Sequence, residues 1–512
     1  MADRILQASF FYRLYSRIVE SLSKAARESG IWRLCAFLIS GFRTLLTGSA
    51  IVRFFTRLAD KVGHAIRESM LLGRFMYLGK GPSVSISSLF YKAYNWLVTL
   101  FGAIFRAIRL DRLLAGSIFT KPLIWCAAAV ALAPIAPTKV VIALAALSIV
   151  SLILEQILDA EKRLIYFPIN KYIWLFALAY GLAILASVTR SGSLFPGLVT
   201  ICFILIFFVL TNSVRKKSQL RGVLIAMVWA GALVALYGFY QFIFQENFIS
   251  GWVDVNMFSG MFRVYSTLGN PNVLGEYFLL IIPFALALLI TAKSRGGRLF
   301  YIAALLAMLA CLVLTYSRGC YLGILVGAAI FLILLDRRFI FPGLVAICLM
   351  VLVMPASIVE RFTSIGNMSD SSTSYRVMIW LGTIAMLKNY WFSGVGPGEA
   401  AYAKVYPVYA YNTVSAPHAH NLFLQITCDT GVSGLILLVV IFYQYFKTMF
   451  ATVSREQSGE ARIFAIAGIS AIAGFLVQSM TDYTFYNYRV MFLFWAVLGI
   501  SVLVTKYHDL EE

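Results

Sequence analysis

The chain has 512 residues, a formal net charge of +20 and a composition that is 61% hydrophobic and only 13% charged, with a mean hydropathy of +0.83. Because water-soluble domains carry about 25% charged residues, this composition excludes a soluble globular protein and predicts an all-α, polytopic membrane protein. The seven cysteines show no CxxC spacing and most lie inside apolar runs, which favours small buried side chains over a disulfide or zinc framework.

Residues 1–120 are predicted to form a separate basic, amphipathic region on the cytoplasmic membrane surface. Basic residues strongly outnumber acidic ones here, and arginines interrupt the apolar runs too often for a spanning helix. A weak repeat places similar segments at 9–15, 49–55 and 88–94, with a break expected near Gly81. Three such units suit an anionic lipid surface. The alternative is that these helices pack on one another or on the transmembrane body. No removable signal peptide is evident at the start, so the first span is expected to direct insertion.

The rest of the chain, residues 121–505, is predicted to be a bundle of about twelve transmembrane helices. A hydrocarbon core of roughly 30 Å requires about 20 apolar residues per helix. On that basis the spans are expected near 121–136, 138–158, 171–189, 194–213, 222–244, 273–292, 299–316, 319–335, 339–357, 422–446, 461–480 and 489–505. Residues 506–512 then form a short tail.

The positive charge is distributed as a topology signal, not as a nucleic-acid-binding surface. With an even number of spans, alternate loops share one side of the membrane. One set of loops holds sixteen basic residues, namely Lys162, Arg163, Lys171, Arg215, Lys216, Lys217, Arg221, Lys293, Arg295, Arg298, Arg337, Arg338, Lys447, Arg455, Arg462 and Lys506. Outside the long loop the other set holds five, namely Lys139, Arg190, Arg263, Arg318 and Arg489. The positive-inside rule makes the first set cytoplasmic, together with both termini, and the long loop 358–421 extracytoplasmic.

Three arginines of the outer side are candidates for binding an anion. Arg263 precedes Thr267-Leu268-Gly269-Asn270-Pro271-Asn272, where Asn270 or Asn272 is expected to cap a helix that Pro271 begins. Arg318 lies at a membrane boundary, where a lone arginine can simply snorkel to the headgroups. It stands in a turn of a few residues, which is too short to let the guanidinium swing far. Such a fixed guanidinium suits bidentate contact with phosphate or carboxylate.

Arg376 lies in the long loop, where Ser372 to Ser374 lead into a helix expected to lie in the outer interface. It could contact a ligand or form a structural salt bridge. After it, Gly394, Gly396 and Gly398 predict a tight bend that lets the backbone approach the site, since no strand precedes them as a nucleotide-binding loop would require.

His418 and His420 are two of only four histidines in the chain, and they close the long outer loop. A general base, a metal site and a structural role are all open for them. Metal is disfavoured, because the nearest further ligands, Glu399, Asp429 and Asp482, match no metal-binding spacing. His420 is favoured as the base because Asn421, beside it, begins the next span. Glu276 and Asp429 fall within or beside spans, where a carboxylate is costly, and could pair with the arginines.

The order of these motifs resembles the O-antigen ligase and polymerase superfamily. The resemblance covers roughly residues 120–505 and is most specific at 263–272, 315–319 and 393–425. It implies a bundle of the GT-C type and a metal-independent, inverting glycosyltransferase without a cofactor. Such an enzyme joins a polyprenyl-diphosphate-linked glycan to a glycan, lipid or protein acceptor at the outer face of a bacterial cytoplasmic membrane.

The resemblance also implies roles for individual residues. Arg263 and Arg318 would hold the diphosphate, with help from Arg376. His420, with His418 nearby, would take the proton of the acceptor hydroxyl. The expected partners are therefore the lipid-linked donor, an acceptor and membrane lipids, and no nucleic acid. A transporter or flippase of envelope glycan precursors is the alternative, but it predicts charges near the bilayer midplane and an internal repeat of the spans.

Overall fold

The computed structural model describes residues 50–68, 89–114, 116–159, 164–245, 262–345, 359 and 371–512. In this described part the regular secondary structure is helical, apart from one isolated bridge between Lys216 and Glu511. The described α-helices are α1 (Ala50–Glu68), α2 (Leu89–Ala107), α3 (Leu110–Leu114), α4 (Pro122–Leu132), α5 (Thr138–Leu158), α6 (Asn170–Ala186), α7 (Arg190–Ser213), α8 (Lys217–Phe244), α9 (Pro271–Ile290), α10 (Arg295–Val313), α11 (Arg318–Leu335), α12 (Ser371–Tyr390), α13 (Glu399–Val405), α14 (Leu422–Arg455), α15 (Glu460–Ser479) and α16 (Tyr488–Val504). The predicted all-α membrane bundle is confirmed.

Eight of the described helices are long and apolar enough to cross a membrane, namely α5, α7, α8, α9, α10, α11, α14 and α15. Helices α4, α6 and α16 are apolar but shorter. With 11 residues, α4 is about 16 Å long, roughly half the thickness of the hydrocarbon core. Most of the span expected at 339–357 lies outside the described residues, so the number of crossings stays a prediction.

The centre of the bundle is formed by helices that are apolar on every side. All residues of α16 from Val490 to Val504 are buried, and α9 and α15 are buried along most of their length. A helix that is hydrophobic all round belongs in the interior. By contrast, α6, α7 and α8 expose large side chains such as Leu185, Leu198 and Trp229, which face outward where lipid lies.

Helices α11 and α15 approach closely through small residues. A side chain at Gly323 would lie 2.6 Å from the carbonyl oxygen of Gly474, and one at Gly474 would lie 2.6 Å from that of Gly323. Lipid tails are as apolar as leucine, so association of helices within a membrane depends on such backbone contact. This contact fixes the N-terminal end of α11, which begins with Arg318, against the C-terminal half of α15.

Helix α14 is broken at Gly431, which has φ 71° and ψ −173°. The segment that follows α12 fills the break. The amide of Val432 donates to the carbonyl of Trp391 at 2.7 Å, and the amide of Val395 donates to the carbonyl of Cys428 at 2.6 Å. The long loop is therefore anchored inside the helix that follows the histidines.

Of the N-terminal region, residues 50–68, 89–114 and 116–120 are described, so the first repeat unit and the break near Gly81 lie outside the described residues. Helices α1 and α2 begin at Ala50 and Leu89, one residue into the second and third repeat units. Both contact the rest of the chain. Asp60 of α1 pairs with Arg337, and Gly102 of α2 lies against the carbonyl of Ile157 at the end of α5. The location of this region on the membrane surface stays a prediction.

Candidate active site

The five side chains predicted to form the site come from four separate stretches of chain, and the fold brings them to one end of the bundle. Arg263 precedes α9, Arg318 begins α11, Arg376 lies in the second turn of α12, and His418 and His420 precede α14. At this end α9 begins on the expected cap, because the Asn270 side chain accepts from the amide of Asn272 at 2.8 Å.

His420 is held by a carboxylate that comes from a distant part of the chain. Its Nδ1 lies 3.2 Å from Oδ1 of Asp482. Because a carboxylate accepts, we assign the proton to Nδ1, which leaves the lone pair of Nε2 as the proton acceptor. The His420 backbone has φ 45°, a conformation that costs free energy for a non-glycine residue, and its carbonyl accepts from Trp380 Nε1 at 3.2 Å. His420 is therefore fixed with Nε2 available.

His418 has a different environment. It is 6% exposed, and its Nδ1 accepts from the His420 amide at 3.3 Å. Burial, and then the neighbouring His420 and Arg376, lower the pKa of His418 to about 3 against the opposing effect of Asp482. A neutral imidazole with Nδ1 engaged as an acceptor carries its proton on Nε2. His418 can therefore donate a hydrogen bond, but it is poorly suited to act as a base at neutral pH.

Asp482 joins the histidine to the arginines. It lies between α15 and α16. Its Oδ2 accepts from Nδ2 of Asn272 at 3.0 Å and lies 3.6 Å from Nη2 of Arg376. Burial raises the pKa of this carboxyl, but the hydrogen bond from His420 and the charge of Arg376 outweigh burial and hold its pKa well below the usual range. Asp482 is therefore ionised and restrains His420.

Sequence reasoning named Asp482 only as a spare carboxylate for a metal. Its contacts with His420 and with Asn272 span 62 and 210 residues of sequence, so no local motif reveals them. The available signal was its predicted location in an outer turn, on the side of the membrane where the histidines were placed.

Arg263 is positioned by the two turns beside it. Its Nε donates to the carbonyl of Thr315 at 2.8 Å, and its Nη2 donates to Oδ1 of Asn272 at 2.9 Å. Asn272 in turn donates to Asp482. A continuous chain of hydrogen bonds therefore runs from Arg263 through Asn272 to Asp482 and His420.

Arg318 lies at the first residue of α11, where the helix dipole adds positive potential. Its Nη2 donates to Oγ of Ser372 at 2.5 Å. Ser372 lies one turn before Arg376 on α12, so Arg318 and Arg376 are carried on neighbouring elements. Both are only partly buried. Together, Arg263, Arg318, Arg376 and the ionised Asp482 carry net positive charge, which suits a polyanionic ligand.

The loop that carries the histidines is linked by hydrogen bonds to Asp429, which lies on the following helix α14. Gln425 accepts from the amide of Ala419 at 2.8 Å and donates to Asp429 Oδ1 at 2.8 Å. The hydroxyl of Tyr180 donates to the other Asp429 oxygen at 3.3 Å. In place of the predicted pairing with an arginine, Asp429 therefore accepts hydrogen bonds from two uncharged side chains, one of which, Gln425, lies one turn away on the same helix.

The glycines of the long loop form the predicted bend. Gly394, Gly396 and Gly398 all have positive φ, at 68°, 109° and 95°. A side chain at Gly394 would lie 2.5 Å from the carbonyl of Cys428. The bend therefore lets the loop backbone reach the break in α14, and the loop packs around its own apolar core, which includes Ile379, Tyr402, Tyr406, Ala416 and Ala419.

Comparison with known proteins finds matches over part of the chain. The O-antigen ligase family model matches residues 303–439, a stretch that holds Arg318, Arg376, His418 and His420, whereas Arg263 and Asp482 lie outside it. The chain is 25% identical to a Rickettsia felis protein named as a polysaccharide ligase, over 59% of this chain and 71% of that protein.

Two further relatives are also similar over part of their length. The teichuronic acid biosynthesis protein TuaE of Bacillus subtilis is 21% identical, over 59% of this chain and 65% of that protein. The exopolysaccharide production protein ExoQ of Rhizobium meliloti is 23% identical, over 61% of this chain and 74% of that protein. The resemblance predicted from the motifs is confirmed.

Proposed function

Taking the chain as an O-antigen ligase-like, multi-span membrane protein, we propose that it is a glycosyltransferase that moves a glycan from a polyprenyl-diphosphate carrier to an acceptor hydroxyl. The observation that carries this proposal is the His420–Asp482 pair next to the cationic group formed by Arg263, Arg318 and Arg376. It supplies a base for the acceptor and a cradle for the leaving diphosphate at the same end of the bundle.

The donor diphosphate is assigned to the three guanidiniums. Negative charge grows on the diphosphate as its bond to the anomeric carbon breaks. Preorganised cations stabilise such charge most when they need not reorganise during the reaction. The contacts of Arg263 with Thr315 and Asn272, and of Arg318 with Ser372, hold these side chains in advance. The guanidiniums supply the positive charge in this proposal, so it includes no metal ion.

The acceptor is activated by His420. Its Nε2 takes the proton of the acceptor hydroxyl while that oxygen forms a bond to the anomeric carbon. At the same time the bond between this carbon and the diphosphate oxygen breaks, and its electron pair leaves with the diphosphate. Asp482 stabilises the resulting imidazolium without itself taking the proton. One direct displacement of this kind inverts the configuration at the anomeric carbon.

The positions of the charges favour an enzyme over a transporter or flippase. Glu276 and Asp429 lie within the first three turns of α9 and α14, at the end of the bundle that holds the histidines. The ion pair between Arg221 and Glu460, 3.0 Å apart, lies at the opposite end. A transporter is expected to place such groups near the bilayer midplane.

The proposed location is a bacterial cytoplasmic membrane, with both termini in the cytoplasm and the site outside. A cysteine introduced at exposed Thr413 should react with a membrane-impermeant maleimide on intact cells, and one introduced at Ser458 should react only after the cells are opened. Reaction of Ser458→Cys alone on intact cells would reverse the topology.

Reconstitution tests the activity directly. Purified protein is incubated with a polyprenyl-diphosphate glycan and, separately, with lipid, glycan or protein acceptors. Wild type should transfer the glycan in the presence of a strong chelator, whereas His420→Ala and Arg318→Ala should not. Arg190→Ala changes an exposed arginine of the outer side and is the matched control. Transfer that persists in both site variants would contradict the mechanism, and the acceptor that is used distinguishes a ligase from a polymerase.

A further inference from the structure

A cavity lined by charged and apolar side chains lies at the opposite end of the bundle from the histidines. Its volume is about 790 Å³. It is lined by the ends of three helices and the turn before one of them: Lys217 and Arg221 of α8, Lys293 of the turn, Gly297 of α10 and Glu460 of α15. The proposed glycosyl transfer uses none of these residues.

The electrostatics of this cavity favour an anion. Helices α8, α10 and α15 all begin beside it, and each helix N-terminus carries roughly half a positive charge. Lys217, Arg221 and Lys293 add three cations. The cavity's Glu460 is already satisfied, because Arg221 donates to it at 3.0 Å and the hydroxyl of Tyr507 donates to it at 2.6 Å. Glu460 therefore does not neutralise the two lysines, and the positive potential of the cavity favours a further anion.

In this structure a side-chain carboxylate at the mouth of the cavity neutralises part of this positive charge. Glu512 forms an ion pair with Lys217, and its side chain is 92% exposed. The neighbouring residue holds it there, because the Lys217 amide donates to the Glu511 carbonyl at 2.8 Å and the Glu511 amide donates to the Arg215 carbonyl at 3.0 Å. An ion pair this exposed is weak and easily exchanged.

The walls of the cavity also offer an apolar path next to the cations. Ile225 lines the cavity, and Trp229 follows it by one helical turn on the same face of α8. Trp229 is half exposed and stacks on Phe300 with the ring centroids 4.1 Å apart. A phosphate at the helix ends with an acyl chain along Ile225 and Trp229 would match this arrangement of polar and apolar surface. Basic pockets between transmembrane helices are known to bind lipid headgroups.

We propose that this cavity binds the phosphate of an anionic ligand, that the ligand is a membrane phospholipid, and that it binds in exchange for the Glu512 carboxylate. The proposal is independent of the glycosyl transfer, because its residues lie at the other end of the bundle. A free phosphate ion shares the same chemistry, so the experiment separates the two sources.

The test measures binding of a phosphatidylglycerol with a fluorescent acyl chain to the purified full-length chain by anisotropy. Unlabelled phosphatidylglycerol, phosphatidylcholine and inorganic phosphate serve as competitors. Since each cation near a headgroup strengthens binding several-fold, Lys217→Gln with Lys293→Gln should weaken binding roughly tenfold. Lys171→Gln with Lys447→Gln, which changes two lysines outside the cavity, should have little effect. Glu512→Gln should strengthen binding.

Phosphatidylglycerol should displace the probe, and phosphatidylcholine should not. The proposal is overturned if the cavity variant binds as wild type does, or if phosphatidylcholine competes equally well. Displacement by inorganic phosphate at the same concentration as phosphatidylglycerol would overturn the lipid assignment in favour of a soluble anion. A thermal midpoint measured for every variant in phosphatidylcholine checks folding, and the single change at exposed Lys293 replaces the double variant if the latter is unfolded.

Discussion

Replacing Asp482 by asparagine is the sharpest test of the proposed mechanism. The carboxylate contacts His420 Nδ1 at 3.2 Å, Asn272 Nδ2 at 3.0 Å and Arg376 Nη2 at 3.6 Å. An asparagine of nearly the same shape has one acceptor oxygen for these three donors. If its amide group faces His420, Nδ1 must accept, the proton moves to Nε2 and the base is lost.

The expected size of the effect follows from what the carboxylate does. General base catalysis contributes typically 10²- to 10⁴-fold, so Asp482→Asn should lower kcat by about that factor, or about 3 to 5.5 kcal/mol in activation free energy. The variant also removes a negative charge beside the three arginines. Donor binding should therefore not weaken, and KM for the donor should stay the same or fall.

The assay is glycan transfer at several donor concentrations, which separates kcat from KM. Glu399→Gln removes an exposed carboxylate from the long loop and serves as the control for charge alone. A folded Asp482→Asn protein that keeps more than about one tenth of wild-type kcat would refute the reasoning, because the loss would then lie below the range for general base catalysis. So would a loss confined to KM, since Asp482 would then act on the donor and not on the base.

Three further predictions concern single residues. The folded protein holds the pKa of His418 at about 3, below the usual value of about 6.5. As the pH falls, the unfolded chain therefore binds a proton at this residue before the folded protein does. The stability that His418 provides is complete above pH 6.5 and is lost as the pH falls toward 3, by up to about 1.4 kcal/mol per pH unit. His418→Gln should flatten this dependence in thermal unfolding between pH 7 and 5, and equal slopes in both proteins would contradict the assignment. Arg318→Lys keeps the charge but loses the planar guanidinium, so it should raise KM for the donor about tenfold. Arg190→Lys should leave this KM unchanged in the same transfer assay. If the two substitutions change KM equally, only the net charge at Arg318 matters. Gly431→Ala places a side chain 1.9 Å from the Phe392 carbonyl at a φ of +71° and should destabilise the protein by at least about 2 kcal/mol. The control Gly181→Ala adds a side chain with no neighbouring atom within 4 Å and should be neutral or slightly stabilising. Denaturant or thermal unfolding in detergent measures both effects.

Much of the fold follows from the sequence because a membrane restricts what a chain can do. A backbone in hydrocarbon must satisfy its own hydrogen bonds, so long apolar runs become helices. The runs at 138–158, 273–292 and 319–335 are found as α5, α9 and α11 within a few residues. Local chemistry also predicted Asn270 or Asn272 as the cap of α9, and Asn270 forms it. The same reasoning missed the break at Gly431, since it lies inside the continuous run predicted at 422–446 and depends on a loop that supplies Trp391 and Val395.

The sequence by itself determined which residue types stand at or near the ends of the helices: three arginines, two histidines and the turns that carry them. Only the tertiary structure decided which of these residues has the environment of a base and which are held together as a cationic group. His420 was preferred over His418 because Asn421 begins the next span, but the Asp482 carboxylate and the burial of His418 give the physical reason for separating them. Sequence spacing fixes neighbours within one helix, whereas the packing of α9, α14 and α15 fixes which helix ends meet. The contact between Asp482 and His420 depends on this packing of helices and not on sequence spacing.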